Sequence, residues 1–173
     1  MGGRKTLFAQ AWDLSWKEWR LVFEAGGYLF AARLAVWFIP FRHLAKRLGK
    51  KMGESPTSET ERQHSEASLI GWAVRGLAQR LPWMKQCLVQ AVAATWMLQR
   101  RRIPSTLYFG LAKDPNNQLK AHAWVRSGTL VLTGAQGRDH YKVVATFAAS
   151  DLGSDSGEYR IPVDKFKREE PSR

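Results

Sequence analysis

The hydrophobic pattern of this chain changes period once, near residue 104, and that change limits the folds available to it. Before residue 104, apolar residues recur at the three- and four-residue steps of helices, whereas after it they alternate as in β-strands. The strand-like segments are residues 105–113, 121–126, 129–133 and 141–147. Helices followed by three or four strands with turn residues between them predict an α+β fold with an antiparallel sheet.

The first helical segment has a recognisable start. Ser15 and Glu18 have the spacing of a capping box, which predicts a helix beginning near Trp16. The apolar positions that follow fit one long helix, or two helices broken at Gly26-Gly27. Pro40 ends this segment and opens a short basic helix, FRHLAKRLG. After residue 60, helices are predicted over residues 67–81 and 84–101.

Charge divides the 173-residue chain into four parts. Residues 1–53 carry ten basic and three acidic residues and form an N-terminal helical region. Residues 54–66 carry four glutamates and one arginine, and their Ser/Thr/Glu-rich composition predicts a flexible acidic linker. Residues 67–150 are basic again and form the core, and residues 151–173 form a polar tail. The net charge of +12 favours an anionic partner.

Several classes of protein do not fit the sequence. One cysteine, Cys87, excludes an internal disulfide and a four-cysteine zinc site, and favours a reducing, cytoplasmic location. No pair of histidines has metal-ligand spacing, no phosphate-binding loop is present, and we expect neither a cofactor nor nucleic-acid binding. The most apolar stretch, residues 26–41, is shorter than a membrane span and contains Arg33, which predicts a buried or surface-lying helix.

Cys87 is a candidate nucleophile because it lies near the start of the predicted helix 84–101. Unpaired backbone N–H groups and the positive end of the helix dipole favour a thiolate there, and the same N–H groups can receive an oxyanion. Lys85 adds positive charge nearby. The alternative is that Cys87 is a small buried hydrophobic residue.

His122 lies in the strand-like segment AHAWV, with Trp124 on its own face by strand alternation. Taken by itself, such a histidine is more often a buried structural group than a catalytic one. Together with Cys87 it has the composition of a Cys–His catalytic pair, in which imidazole accepts the thiol proton and later donates it to the leaving amine.

A third group is expected to orient the imidazole. If Ser127-Gly128 is a two-residue turn, the hairpin register places Thr133 opposite His122. Asp139 is the nearest acidic residue downstream and is the candidate third member. A backbone carbonyl or Thr133 could hold the ring instead, or the site could work as a dyad.

Two stretches together resemble a known family. The segments CLVQAVAATWMLQRRRIPSTLYFGLAK and KAHAWVRSGTLVLTG resemble the leader peptidases of lasso-peptide biosynthesis, which are similar to transglutaminase-like and papain-like cysteine enzymes. The segment EAGGYLFAARLAVWFIPFRHLAKRLG resembles the leading helices of that family. The resemblance implies that Cys87 is the nucleophile and His122 the general base and acid. Many relatives have an aspartate where this chain has Thr133-Gly134.

The resemblance also implies a function and its partners. The expected activity is removal of the leader from a lasso-peptide precursor, with a separate winged-helix-like recognition protein and an ATP-dependent cyclase. Two alternatives remain open: a transglutaminase-like acyltransferase, and a non-catalytic scaffold on a membrane or a partner.

The N-terminal helices supply the candidate partner-binding residues. Trp16, Trp19, Trp37 and Arg42 are expected to dock the partner or the leader, and these helices could also contact a membrane surface.

Overall fold

The computed structural model describes residues 15–149. These residues form four α-helices and a five-stranded sheet in an α+β arrangement. The helices are α1 (Trp16–Phe38), α2 (Phe41–Leu48), α3 (Glu61–Arg80) and α4 (Cys87–Arg100). The strands are β1 (Lys50–Lys51), β2 (Ser105–Lys113), β3 (Leu119–Ser127), β4 (Leu130–Thr133) and β5 (Lys142–Ala149). Two 3₁₀ turns lie at Pro82–Met84 and Arg138–His140.

The capping box at the start of α1 is confirmed. The backbone N–H of Ser15 donates to the Glu18 carboxylate at 2.7 Å, and the N–H of Glu18 donates back to Ser15 Oγ at 3.4 Å. α1 continues through Gly26-Gly27 as one helix of 23 residues. Its buried stripe consists of small residues and one leucine, and it packs against α3 and α4. The stripe is Ala25, Leu29, Ala32 and Ala35.

α2 is the short basic helix predicted after Pro40. Leu44 and Leu48 are buried, and Gly49 ends the helix with φ of +129°. A Cβ on Gly49 would lie 2.1 Å from the carbonyl oxygen of Ala148 in β5, so only glycine permits this close approach.

α3 begins earlier than predicted. Residues 61–66, assigned above to a linker, form its first turns, because Thr60 and Gln63 make a reciprocal capping box. The residues before the helix are also tied down. Ser55 is buried, and its N–H donates to Thr106 Oγ1 at 2.7 Å. The extended segment before α3 is therefore held against the sheet.

The sheet is antiparallel, with the strand order β1-β5-β2-β3-β4. β1 pairs with the end of β5 and forms one edge through two exposed lysines. The β2–β3 hairpin turns at Asp114, whose side chain accepts hydrogen bonds from the N–H groups of Asn116 and Gln118, each at 2.9 Å. The predicted turn at residues 114–117 is confirmed.

The two faces of the sheet have different partners. On β2 and β3, Leu107, Ala123 and Val125 belong to the core that the helices cover. The residues between them face the other way, where the rings of Tyr108 and Trp124 stack with their centroids 5.4 Å apart. Arg126 lies on this second face and donates to the carbonyl of Ser55 at 2.8 Å. His122 belongs to the second face by the same alternation.

Candidate active site

Cys87 is the first residue of α4, close to the position that the sequence predicts. Gln86 precedes it as the N-cap and makes no side-chain capping bond. The first backbone bond of the helix runs from the N–H of Gln90 to the carbonyl of Gln86 at 3.2 Å. The N–H groups of the first turn are therefore not occupied by a side-chain cap. Cys87 is half-buried against the core and is a free thiol.

The imidazole of His122 is fixed through one nitrogen. Its Nε2 lies 2.8 Å from the carbonyl oxygen of Gly134. A carbonyl oxygen only accepts hydrogen bonds, so Nε2 carries the hydrogen. In the neutral ring the lone pair is then on Nδ1, which makes no hydrogen bond within residues 15–149. The arrangement leaves His122 with a basic nitrogen available to another group.

Two aromatic rings lie beside the imidazole. The centroid of Tyr141 lies 4.9 Å from that of His122, and the centroid of Trp124 lies 5.9 Å away. Gly110, which pairs with His122 across the sheet, makes room for this cluster. A Cβ on Gly110 would lie 2.7 Å from Cβ of Tyr141 and 2.9 Å from Cζ3 of Trp124. Sequence reasoning missed Tyr141 and Gly110, although a glycine inside a strand is a known sign of close approach.

The predicted hairpin register is wrong. The turn residues are Gly128 and Thr129, not Ser127 and Gly128, so Ser127 pairs with Leu130. Gly128 takes the first turn position with φ of +51°. A register shift follows at Val125, which pairs with Thr133. Thr133 is therefore not opposite His122, and the chain continues so that the Gly134 carbonyl reaches the imidazole.

Asp139, the candidate third member, lies in the 3₁₀ turn Arg138–His140. Its side chain is 88% exposed and lies 3.4 Å from Nε of Arg138. The ring nitrogen Nε2 has the Gly134 carbonyl as its partner. This is the arrangement that the sequence left open, in which a backbone carbonyl holds the ring.

Cys87 and His122 are not hydrogen-bonded to each other in the part of the chain described. α4 packs against β2, β3 and β4, so the helix that carries the thiol rests on the strand that carries the imidazole. His122 nevertheless lies on the face of β3 opposite Ala123 and Val125, which contact the helices. A bulge interrupts the β2–β5 pairing between Phe109 and Gly110, beside the partner of His122.

The partner-binding candidates lie at the surface. Trp16, Trp19, Trp37 and Arg42 are all exposed, with Trp19 less exposed than Trp16 and Trp37. α1 is long and apolar enough to cross a membrane by length and composition, and 22% of its most apolar stretch is buried. The prediction that this region is too short to span concerned residues 26–41, whereas the helix begins at Trp16.

Within residues 15–149 no group of three or more His, Cys, Asp or Glu side chains could hold a metal ion.

A helix that opens with a cysteine and rests on an antiparallel sheet carrying a histidine is an architecture of transglutaminase-like proteins. A family profile described as the transglutaminase-like superfamily matches residues 35–146, which is well over half of the chain and includes both Cys87 and His122. The chain belongs to this superfamily, which includes cysteine peptidases and acyltransferases. No curated protein and no solved structure matches the chain.

Proposed function

We propose that the protein is a cysteine peptidase that removes the leader peptide from a lasso-peptide precursor. The observation that carries the proposal is the anchored imidazole, with Nε2 bonded to Gly134 and Nδ1 left as the basic nitrogen. The superfamily match and the resemblance of residues 87–113 and 120–134 to leader peptidases support it. Cys87 would be the nucleophile and His122 the general base and acid.

The proposed reaction requires Cys87, on the helix side of the sheet, to meet His122, on the other face of β3. α4 has 14 residues and is about 21 Å long, which equals six or seven residues of strand. Four residues separate α4 from β2, and a helix running back along β2 would bring its first residue near the level of Gly110. Gly110 is the strand partner of His122. Because Cys87 and His122 face opposite sides of β3, the Sγ–Nδ1 contact requires one of the two side chains to move, and we expect that movement when substrate binds.

The first half of the reaction is acylation of Cys87. Nδ1 of His122 takes the thiol proton, and sulfur attacks the carbonyl carbon of the last leader residue, forming a C–S bond. The N–H groups of the first turn of α4 stabilise the resulting oxyanion. The C–N bond then breaks, and the imidazolium gives its proton to the departing amine of the core peptide.

The second half is hydrolysis of the thioester. Water attacks the acyl carbon while His122 takes one of its protons. The C–S bond breaks, the leader departs as a carboxylic acid, and the proton returns to sulfur. The freed amine of the core peptide is the group that a separate ATP-dependent cyclase would join to an acidic side chain.

The proposed partners are the precursor peptide, a separate winged-helix-like protein that grips the leader, and the cyclase. We propose a cytoplasmic location, where the single thiol stays reduced. Because recognition and chemistry would be divided between chains, we expect weak cleavage by this protein alone.

The test is leader release from a precursor peptide, followed by mass spectrometry in the presence of the recognition partner. Cys87→Ala and His122→Ala should each lower the rate by at least about a thousandfold, because each removes a member of the pair. His43→Ala, an exposed histidine on α2, is the matched control and should cleave like wild type. Circular dichroism and thermal unfolding check that each variant is folded.

The products separate the alternatives. Hydrolysis adds one water to the released leader, whereas an acyltransferase supplied with a small primary amine yields the leader amide. If Cys87→Ala and His122→Ala both cleave as fast as wild type, the assignment of a Cys–His peptidase is wrong.

A further inference from the structure

The side of α1 that faces away from the molecule is apolar along its whole length. Its exposed apolar residues form two groups on one side of the helix, within residues 16–23 and 30–38, and are mostly aromatic. We call this the outer stripe; its residues are Trp16, Trp19, Phe23, Phe30, Leu34, Trp37 and Phe38. Because α1 has 23 residues, the outer stripe runs for about 34 Å.

Exposure of this kind is unusual for a folded domain. Single exposed apolar residues are ordinary, but a contiguous patch marks an interaction site. Phe23 is 72% exposed and Trp37 is 74% exposed. Neighbouring rings also touch, with centroids 5.8 Å apart for Trp19 and Phe23 and 5.2 Å apart for Trp37 and Phe38. The outer stripe is therefore an exposed apolar face with an aromatic pair toward each end, and we expect a partner to cover it.

The charge around the outer stripe indicates what covers it. Residues 15–53 contain eight basic and two acidic residues. Both carboxylates are engaged within the molecule, since Glu18 bonds to Ser15 and Glu24 pairs with Arg101. Arg42 and Lys46 on α2 are exposed and extend the positive region beyond the end of α1. An apolar strip bordered by cations complements a partner surface in which an anionic outer layer covers an apolar inner layer.

We infer that the outer stripe lies in the interface of an anionic lipid membrane, with α1 parallel to the membrane plane. Apolar and aromatic side chains enter the boundary between headgroups and acyl chains, and the flanking cations contact anionic headgroups. Tryptophan near both ends of the stripe fits this depth, because its ring is apolar and its N–H can face water.

Two other arrangements fit less well. If α1 crossed the bilayer, Leu29 would leave the core formed with α3 and α4, and Glu24 would lose Arg101. A second copy on the outer stripe would bring two chains of net charge +12 together. Binding in the membrane interface leaves the buried side of α1 in the core, and the anionic headgroups neutralise the basic side chains beside the outer stripe.

The test is co-sedimentation of the full chain with phosphatidylcholine vesicles, with and without phosphatidylglycerol. We expect binding to the anionic vesicles, weaker binding as salt is raised, and little binding to the neutral ones. Phe23→Ser/Phe30→Ser/Trp37→Ser should bind at least about tenfold more weakly, because it removes three buried contacts with lipid. Arg42→Gln/Lys46→Gln should also bind the anionic vesicles more weakly.

The matched control is Leu69→Ser/Leu119→Ser/Val144→Ser, which removes three exposed apolar residues from other elements and should bind like wild type. Thermal unfolding verifies the fold, and Phe23→Ser alone replaces the triple variant if that variant is unstable. No precursor is present, so the result is independent of the proposed peptidase activity.

Three outcomes would overturn the inference. The first is wild type that stays in the supernatant with anionic vesicles at low salt, or that binds neutral vesicles equally well. The second is a wild-type dimer, detected by light scattering and lost in the outer-stripe variant, when wild type also fails to bind vesicles. That result would assign the stripe to contact with a second copy. The third is wild-type vesicle binding by the outer-stripe variant, which would show that the stripe does not contact lipid.

Discussion

At the scale of single residues, the backbone rather than an acid orients the imidazole of His122. The Gly134 carbonyl carries no full charge, so it fixes the tautomer of the ring with less electrostatic support for an imidazolium than a carboxylate would give. The rings of Tyr141 and Trp124 restrict the plane of the imidazole. The position of the His122 imidazole is therefore set by packing against these rings and by one hydrogen bond.

Asp139→Asn should change the rate of leader release by less than about threefold, because its carboxylate faces Arg138 and solvent while Gly134 holds the ring. The measurement is the cleavage rate with wild type and His122→Ala as references. A loss comparable to that of His122→Ala would show that Asp139 reaches the imidazole and serves as the third member.

Gly110→Ala should lower the free energy of unfolding by about 1–3 kcal/mol, because the added Cβ overlaps the side chains of Tyr141 and Trp124. Urea denaturation measures the change. Gly76→Ala is the control, because no atom lies within 4 Å of its added Cβ. Replacing a glycine inside a helix by alanine raises the free energy of unfolding by about 0.5–1 kcal/mol. Equal effects of the two changes would contradict the packing described at Gly110.

At the scale of elements, the sequence predicted what local patterns determine. β2 has the predicted bounds, because residues 105–113 combine alternation with flanking turn residues. The start of α3 was missed because residues 61–66 are polar and give no apolar period, although Thr60 and Gln63 cap the helix. The register of β3 and β4 was missed because Gly128 suits either turn position. The contact between His122 and Gly134 depends on that register.

Glu24 and Arg101 join α1 to the end of α4 through two hydrogen bonds of 3.0 and 2.7 Å. The hydrogen bond from Arg101 lowers the pKa of Glu24, against an opposing effect of burial. The pair therefore stabilises the fold fully above the ordinary pKa of an unfolded glutamate, and this contribution disappears as pH falls through the lower folded-state value.

Glu24→Gln should cost about 1 kcal/mol at pH 7 and much less in acid, once wild-type Glu24 is itself protonated. Urea titrations at neutral pH and at pH values below about 4.3 measure the difference. Glu66→Gln, which breaks the exposed pair with Arg62, is the control and should cost less than about 0.5 kcal/mol. A Glu24→Gln cost that does not shrink in acid would rule out the ion pair as its cause.

At the scale of the whole molecule, α1 shares its core with α3, α4 and the sheet, since Leu29 and Leu107 belong to one buried cluster. The superfamily match also begins inside α1, at residue 35. The division into an N-terminal region of residues 1–53 and a core of residues 67–150 stays a prediction. A shared core favours one cooperative unit over two.

Leu29→Ala should therefore destabilise the entire fold by about 2–5 kcal/mol, as Leu107→Ala should, within a single transition. Calorimetry tests whether unfolding is a single transition, because the calorimetric and van't Hoff enthalpies then agree. Phe30→Ala, the exposed neighbour on α1, is the control and should change stability by less than about 0.5 kcal/mol. A separate early transition in Leu29→Ala alone would indicate that α1 unfolds independently.

The two-residue strand β1 has a consequence for behaviour in concentrated solution. An exposed sheet edge is a template on which strands of other molecules can add and start aggregation. Where β1 covers the end of β5, it offers only two residues for pairing, and both are lysines. An incoming strand would find too few backbone groups on β1 to bind and two ammonium groups to desolvate, so strand addition to β1 is disfavoured.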